Sequence, residues 1–260
     1  MNNPQPLAGL RLLIPRAQAR GASLQQAVTA LGGQARCIAA LRFDATLAPI
    51  RSLAQAGAAQ AAVFTSQPAV EHWQRLATPA DLPPRVMAVG DATAAALHRA
   101  GVDAVRVPPR QDADGILAEL DAHDWRDVLL VTGVGGRPLL RQALAQRGRL
   151  RLAEVYARRP HPDLTDALAA LGDWPNVVLA SSAETYRAII EHAPDDGRGL
   201  LHCPVVAPSE RVIQHSRTLG SEAPAWLATP FGEAAVLSAL KANWVRPSPP
   251  SARDDDRERR

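Results

Sequence analysis

Short apolar runs alternate with longer amphipathic stretches from about residue 10 to residue 243. The runs at 10–14, 61–64, 86–89, 128–131, 177–179 and 205–207 are β-branched in part, and each is followed by a small or turn-forming residue and then by helical spacing. Strand-like runs separated in this way by helix-like ones predict an α/β chain, with parallel sheets and helices on both of their faces.

The second half of this pattern repeats the first. Leu24-Gln25-Gln26-Ala27-Val28 with Gly32 returns as Leu140-Arg141-Gln142-Ala143-Leu144 with Gly148, an offset of 140 − 24 = 116. Val63-Phe64-Thr65-Ser66 returns as Val178-Leu179-Ala180-Ser181, with 178 − 63 = 115, and the helix-like run at 91–101 returns at 210–220, with 210 − 91 = 119. The period is too long for a solenoid and predicts two similar lobes, with a ligand cleft expected between them. Residues 36–43 and 151–158 read as extended stretches in matching places of the two repeats. If the chain crosses between lobes there, residues 37–45 and 151–161 form a two-stranded β linker. One lobe is then discontinuous, residues 1–36 with 162–245, and the other spans residues 46–150. A split into two contiguous lobes near Asp124 is the alternative. Residues 246–260 combine proline, serine and mixed charge with too few apolar residues for a core, which predicts a disordered tail.

At 260 residues, 47% of them hydrophobic, the chain has room for two cores. No apolar run approaches membrane-spanning length, and Met1-Asn2-Asn3-Pro4-Gln5-Pro6 lacks the features of a secretory signal, so a cytoplasmic protein without a membrane partner is expected. Cys37 and Cys203 lie far apart in apolar segments and read as free thiols. The formal charge is +3, and Lys241 is the sole lysine among 29 basic residues. Arginine suits forked contacts to carboxylate or phosphate, although it also accompanies a high-GC coding bias. Few aromatics and no basic stripe argue against a nucleic-acid partner.

Ligands of open α/β sheets bind beyond the carboxyl ends of the strands, so the strand-end turns carry the candidate chemistry. Thr65-Ser66-Gln67-Pro68 places two hydroxyls at such a turn, where Ser66 can also cap the following helix. Ser181-Ser182 repeats it in the second half. Gly90-Asp91-Ala92-Thr93 and Pro208-Ser209-Glu210-Arg211 form a second repeated pair. Thr132-Gly133-Val134-Gly135-Gly136-Arg137 is the most glycine-dense turn, yet Pro138 stands where a dinucleotide fingerprint needs its third glycine, and no Gly-Lys-Ser/Thr follows. It reads as a backbone nest for a carboxylate. The histidines are scattered, with no metal-ligand spacing, no Ser elbow and no cleft-forming carboxylate pair. The residues alone therefore reach a bilobal protein that binds an anionic ligand through amides, hydroxyls and arginine, with Arg16 and Arg137 as electrostatic partners. A noncatalytic binder or sensor of an anionic small molecule stays open at this point.

At Val63-Phe64-Thr65-Ser66 with Ala69-Val70, Ala88-Val89-Gly90-Asp91-Ala92-Thr93, Gly133-Val134-Gly135-Gly136-Arg137 with Leu140, and Val155-Tyr156-Ala157-Arg158, the chain resembles the uroporphyrinogen-III synthases. The resemblance runs in order from about residue 10 to residue 242. It implies two parallel-sheet, flavodoxin-like lobes joined by a two-stranded β linker, with an active site between the lobes and no cofactor or metal. The implied substrate is hydroxymethylbilane, a linear tetrapyrrole rich in carboxylates, which hydroxymethylbilane synthase could hand over. The implied reaction is a cyclising lyase step with loss of water and inversion of the last pyrrole ring. Tyr156 matches the family's linker tyrosine and is the expected catalytic group. Arg16, Thr65, Ser66, Gly90, Thr93, Thr132, Gly133, Gly136, Arg137, Ser181, Ser182 and Ser209 are the expected substrate-binding set, in a monomer. Pro208-Ser209 lacks the glycine of its first-half counterpart.

Overall fold

The computed structural model describes residues 5–46, 56–136, 138–172 and 174–245; Arg137 and the tail at 246–260 lie outside them. In chain order the first elements are β1 (Arg11–Ile14), α1 (Gln18–Ala30), β2 (Gln34–Cys37) and β3 (Leu41–Ala45). Next come β4 (Ala61–Phe64), α2 (Gln67–Trp73), β5 (Val86–Ala88), α3 (Asp91–Arg99) and β6 (Val105–Arg106). They are followed by α4 (Ala113–Ala122), β7 (Asp127–Gly133), α5 (Pro138–Arg147), β8 (Arg149–Pro160) and α6 (Leu164–Ala169). The chain continues through β9 (Val177–Leu179), α7 (Ala183–His192), α8 (Arg198–Leu201), β10 (Val205–Ala207), α9 (Glu210–Thr218), β11 (Ala225–Leu227) and α10 (Glu233–Asn243).

Two compact units result, residues 1–42 with 160–260 and residues 43–159. In the first, five parallel strands run in the order β11-β10-β9-β1-β2. Numbered within the unit this is 2-1-3-4-5, the flavodoxin-like order. In the second, β8-β7-β4-β5-β6 are parallel, and β3 flanks β8 at the outer edge. The two arrangements match strand for strand when β7, β8, β4, β5 and β6 are set against β1, β2, β9, β10 and β11.

The central strands of both sheets are buried on both faces, which is why β1, β4, β5, β9 and β10 are short continuous apolar runs. Along β4, Ala62 and Phe64 join a cluster with Trp73 of α2 and Leu97 of α3, while Ala61 and Val63 join Ile116 and Leu120 of α4 and Leu140 and Leu144 of α5. In the other sheet Val178 meets Leu164, Tyr186 and Val212 on one side; Val177 and Leu179 meet Leu24, Val28, Val236 and Leu240 on the other. Each fully buried side chain of this size stabilises its lobe by about 1.5–3 kcal/mol relative to exposure. Tyr186 belongs to this packing: it is fully buried, and burial pushes its phenol above the ordinary range.

Of the extended stretches read at 36–43 and 151–158, β3 and β8 lie side by side. Cys37 closes β2 within the first sheet, and a new strand, β3, begins at Leu41. β8 is twelve residues long, and from Arg149 to Tyr156 it continues the second sheet beside β7.

Candidate active site

In the second unit the strand order reverses between β4 and β7, a switch point where the helices that follow the two strands leave on opposite faces and open a crevice. Thr65 and Ser66 follow β4 there, and Thr132 and Gly133 end β7. The Thr65 hydroxyl donates to Thr132 Oγ1 at 3.0 Å and lies 3.4 Å from the Val131 carbonyl, and both threonines are buried. Ser66 has an extended backbone and caps α2, its Oγ accepting from the Ala69 amide at 3.3 Å, with Pro68 in the first turn.

Tyr156 reaches the same place from β8. The register between β7 and β8 slips by one residue: Thr132 pairs with Glu154, but Gly133 pairs with Tyr156. Val155 is the extra residue of this bulge, so Val155 and Tyr156 are both buried in succession. A bulge re-aims a side chain that strict alternation would send to the other face. The Tyr156 hydroxyl consequently lies 3.2 Å from Ser66 Oγ, and either can donate. Its ring lies close against Gly133, where a Cβ would sit 2.5 Å from Cζ. Phe43 of β3 meets that ring edge-on at 5.4 Å, and His72 of α2 meets it tilted at 5.5 Å between centroids.

The glycine-dense turn is not an open nest, which corrects the reading from its composition. The Val134 amide donates to the Tyr156 carbonyl at 2.7 Å, the Gly136 amide to the Gly133 carbonyl at 2.9 Å, and the Gly135 amide to the Glu154 carboxylate at 3.2 Å. The protein's own Glu154 thus occupies the place an anion would take, and glycine composition could not show that. Gly136 is needed for closeness rather than for an amide, since a Cβ there would lie 2.6 Å from Thr132 Oγ1. Gly90 precedes α3 with Thr93 buried in its first turn. Gln111 covers that helix start, accepting from the Asp91 amide at 3.3 Å and donating to the Asp91 carboxylate at 2.7 Å.

In the first unit the corresponding switch point lies between β1 and β9. Arg16 follows β1, its guanidinium 5.3 Å from the Phe231 ring centre; burial, then the charge of Arg20, lower its pKa. Ser181 and Ser182 follow β9, and Ser182 caps α7 by accepting from the Thr185 amide at 3.1 Å. Ser209 stands at the start of α9 without a side-chain cap bond. The expected binding residues therefore gather at the carboxyl ends of two sheets, each within its own unit. Phe43, His72, Glu154 and Gln111 are the neighbours that sequence reasoning missed. Among the described residues no His/Cys/Asp/Glu group is arranged to hold a metal ion, and no helix is long and apolar enough to cross a membrane.

Among solved structures, a selenomethionine-substituted mutant uroporphyrinogen III synthase from the extremely thermophilic bacterium Thermus thermophilus is similar over 90% of this chain and 98% of its own, at 19% identity and a TM-score of 0.60. The wild-type form of that protein in a second crystal form matches over 90% and 97% of the two chains, at 19% identity and a TM-score of 0.45. At such identity the first of these likenesses speaks to the fold. The family model described as uroporphyrinogen-III synthase HemD matches residues 22–228, most of the chain. The chain belongs to the uroporphyrinogen-III synthase family.

As a uroporphyrinogen-III synthase it is a cyclising lyase of porphyrin biosynthesis, acting on hydroxymethylbilane. That substrate needs little chemical force. Its terminal hydroxymethyl group leaves readily from an electron-rich pyrrole, and the chain of rings closes unaided to the wrong isomer. What a synthase must supply is orientation, which at its best lowers a barrier by about 7–11 kcal/mol.

Proposed function

We propose that Tyr156 and Ser66 act together on the departing hydroxyl of hydroxymethylbilane. The Tyr156 O–H donates to that oxygen as the carbon–oxygen bond breaks, and the oxygen leaves as water, the proton it takes being balanced by the N–H proton that the same pyrrole gives up in becoming an azafulvene. The azafulvene left behind is attacked by the last ring through its already substituted α-carbon. The resulting spiro intermediate fragments and recloses with that ring inverted, and loss of the α-proton restores the aromatic pyrrole. Ser66 holds the phenol in its donating orientation before substrate arrives. The observation that carries this reading is the 3.2 Å contact between the two hydroxyls, made possible by the bulge at Val155 and the missing side chain at Gly133.

Thr65, Thr132 and Thr93 on one sheet, and Arg16, Ser181, Ser182 and Ser209 on the other, are proposed to meet the acetate and propionate carboxylates, with Gly90, Gly133 and Gly136 keeping the turns compact. Arg137 belongs to the same proposed set. The protein is proposed to act as a cytoplasmic monomer that takes its unstable substrate from hydroxymethylbilane synthase.

Tyr156→Phe removes the donor while keeping the ring against Gly133, Phe43 and His72. The expected result is a turnover slower by roughly 10- to 100-fold, the worth of one well-placed hydrogen bond, with an unchanged melting profile. Wild-type turnover in this variant would leave orientation as the whole mechanism.

A further inference from the structure

His72 lies on the inner face of α2 and is 4% exposed, yet its Nδ1 has no hydrogen-bond partner among the described residues. Buried polar nitrogens are rarely left in this state, and those that are call for an explanation. An apolar side chain would fill the same space without stranding a nitrogen. Its ring instead forms one wall of the Tyr156 pocket, with Phe43 supplying another through its edge-on contact.

We propose that His72 is a positioning residue for the synthase reaction: its neutral ring holds the Tyr156 hydroxyl beside Ser66, and uptake of a proton by that ring loosens the pocket and lowers turnover on the acid side of neutrality. The inference rests on the role given above to Tyr156.

The physical basis is the difference between the two forms of the ring. Neutral imidazole tolerates an apolar pocket with one idle nitrogen. Protonated imidazole has two N–H donors and a charge, and a charge without an acceptor is costly to keep out of water. The ring must then turn toward solvent or draw water in, and either movement withdraws a wall from Tyr156. The charged groups that reach His72 are Arg75 and Glu71 from α2 and its end, and Asp44 on β3. Burial first, then the charge of Arg75, hold the imidazole below its ordinary value of 6.5, while Glu71 and Asp44 pull the other way. The neutral form is accordingly the working one near pH 7, and the decline belongs below the ordinary histidine range.

The test compares the full-length wild type, His72→Phe and His72→Gln for kcat, KM and the type III share of product between about pH 5 and pH 8, with a thermal melt of each. His72→Phe keeps a ring that cannot titrate: neutral-pH kcat is expected within about threefold of wild type, without the acid decline. His72→Gln removes the wall: kcat is expected to fall about tenfold with KM little changed and the type I share raised. An acid decline in His72→Phe identical to wild type, or wild-type kcat and isomer ratio in His72→Gln, overturns the proposal. Should a variant fail to fold, NMR titration of the wild type decides: Tyr156 ring signals that shift together with the His72 titration support the inference, and Tyr156 signals indifferent to it overturn the proposal. Tyr156→Phe separates the two readings. Slowed turnover there with unaltered His72 variants defeats only the His72 inference, whereas wild-type turnover there defeats the Tyr156 role itself.

Discussion

Gly133 marks the tightest point of the site. A methyl group there would stand 2.5 Å from Cζ and 2.6 Å from Cε2 of Tyr156, a ring that Phe43 and His72 hold from other sides. Gly133→Ala therefore either displaces the phenol from Ser66 or strains the turn. The expected cost is about 1–3 kcal/mol of stability together with slower type III formation, measured by urea denaturation and by product chromatography; wild-type values in both would mean the ring has room to move. The hydroxyls of Thr65, Ser66 and Thr132 were legible from the sequence because strand-end turns are where α/β sheets bind ligands. Tyr156 was legible only through family resemblance, since nothing in its own spacing separates it from a packed aromatic. His72 and Phe43 were not legible at all. Their contacts with Tyr156 join residues far apart in the chain, which no local pattern encodes.

Among the elements, β8 departs most from its reading as a simple extended stretch. It starts before residue 151, serves as a full sheet member, and carries the one-residue slip that turns Tyr156 inward. Its anchor is Arg151, buried and paired with Asp127 of β7 at 2.7 and 2.8 Å. The hydrogen bond from Arg151 is the main reason the Asp127 carboxyl titrates below its ordinary 3.8. A carboxyl depressed in the folded state adds stability that is present above its unfolded value and is lost as pH falls through the folded one. Asp127→Ala is expected to cost about 1–3 kcal/mol near neutral pH, and its deficit against wild type should shrink below about pH 3.8. Parallel denaturant titrations at the two pH values check this; a deficit that does not vary with pH would assign the effect to packing. The short central strands, by contrast, were readable almost to the residue, because burial on both faces leaves an unbroken apolar run. A strand such as β8, with Arg151 buried and Leu150 only half covered, blurs that signal.

Across the whole molecule, two sheets share one spatial order although the chain visits their strands in different sequence. Repeat offsets of 115, 116 and 119 residues announced the kinship in advance. The permuted order was beyond their reach, since periodicity records which segments match and not which strands become neighbours. Each sheet offers a switch point with hydroxyls at its strand ends, and the second adds the Tyr156–Ser66 pair. A molecule built this way should work by orienting a substrate that already tends to react. The most direct measurement generates hydroxymethylbilane in place, adds the full-length protein, and separates the oxidised porphyrin isomers by chromatography. Type III product that appears only when the protein is present is the predicted result. Type I alone, from protein shown to be folded, would contradict the account.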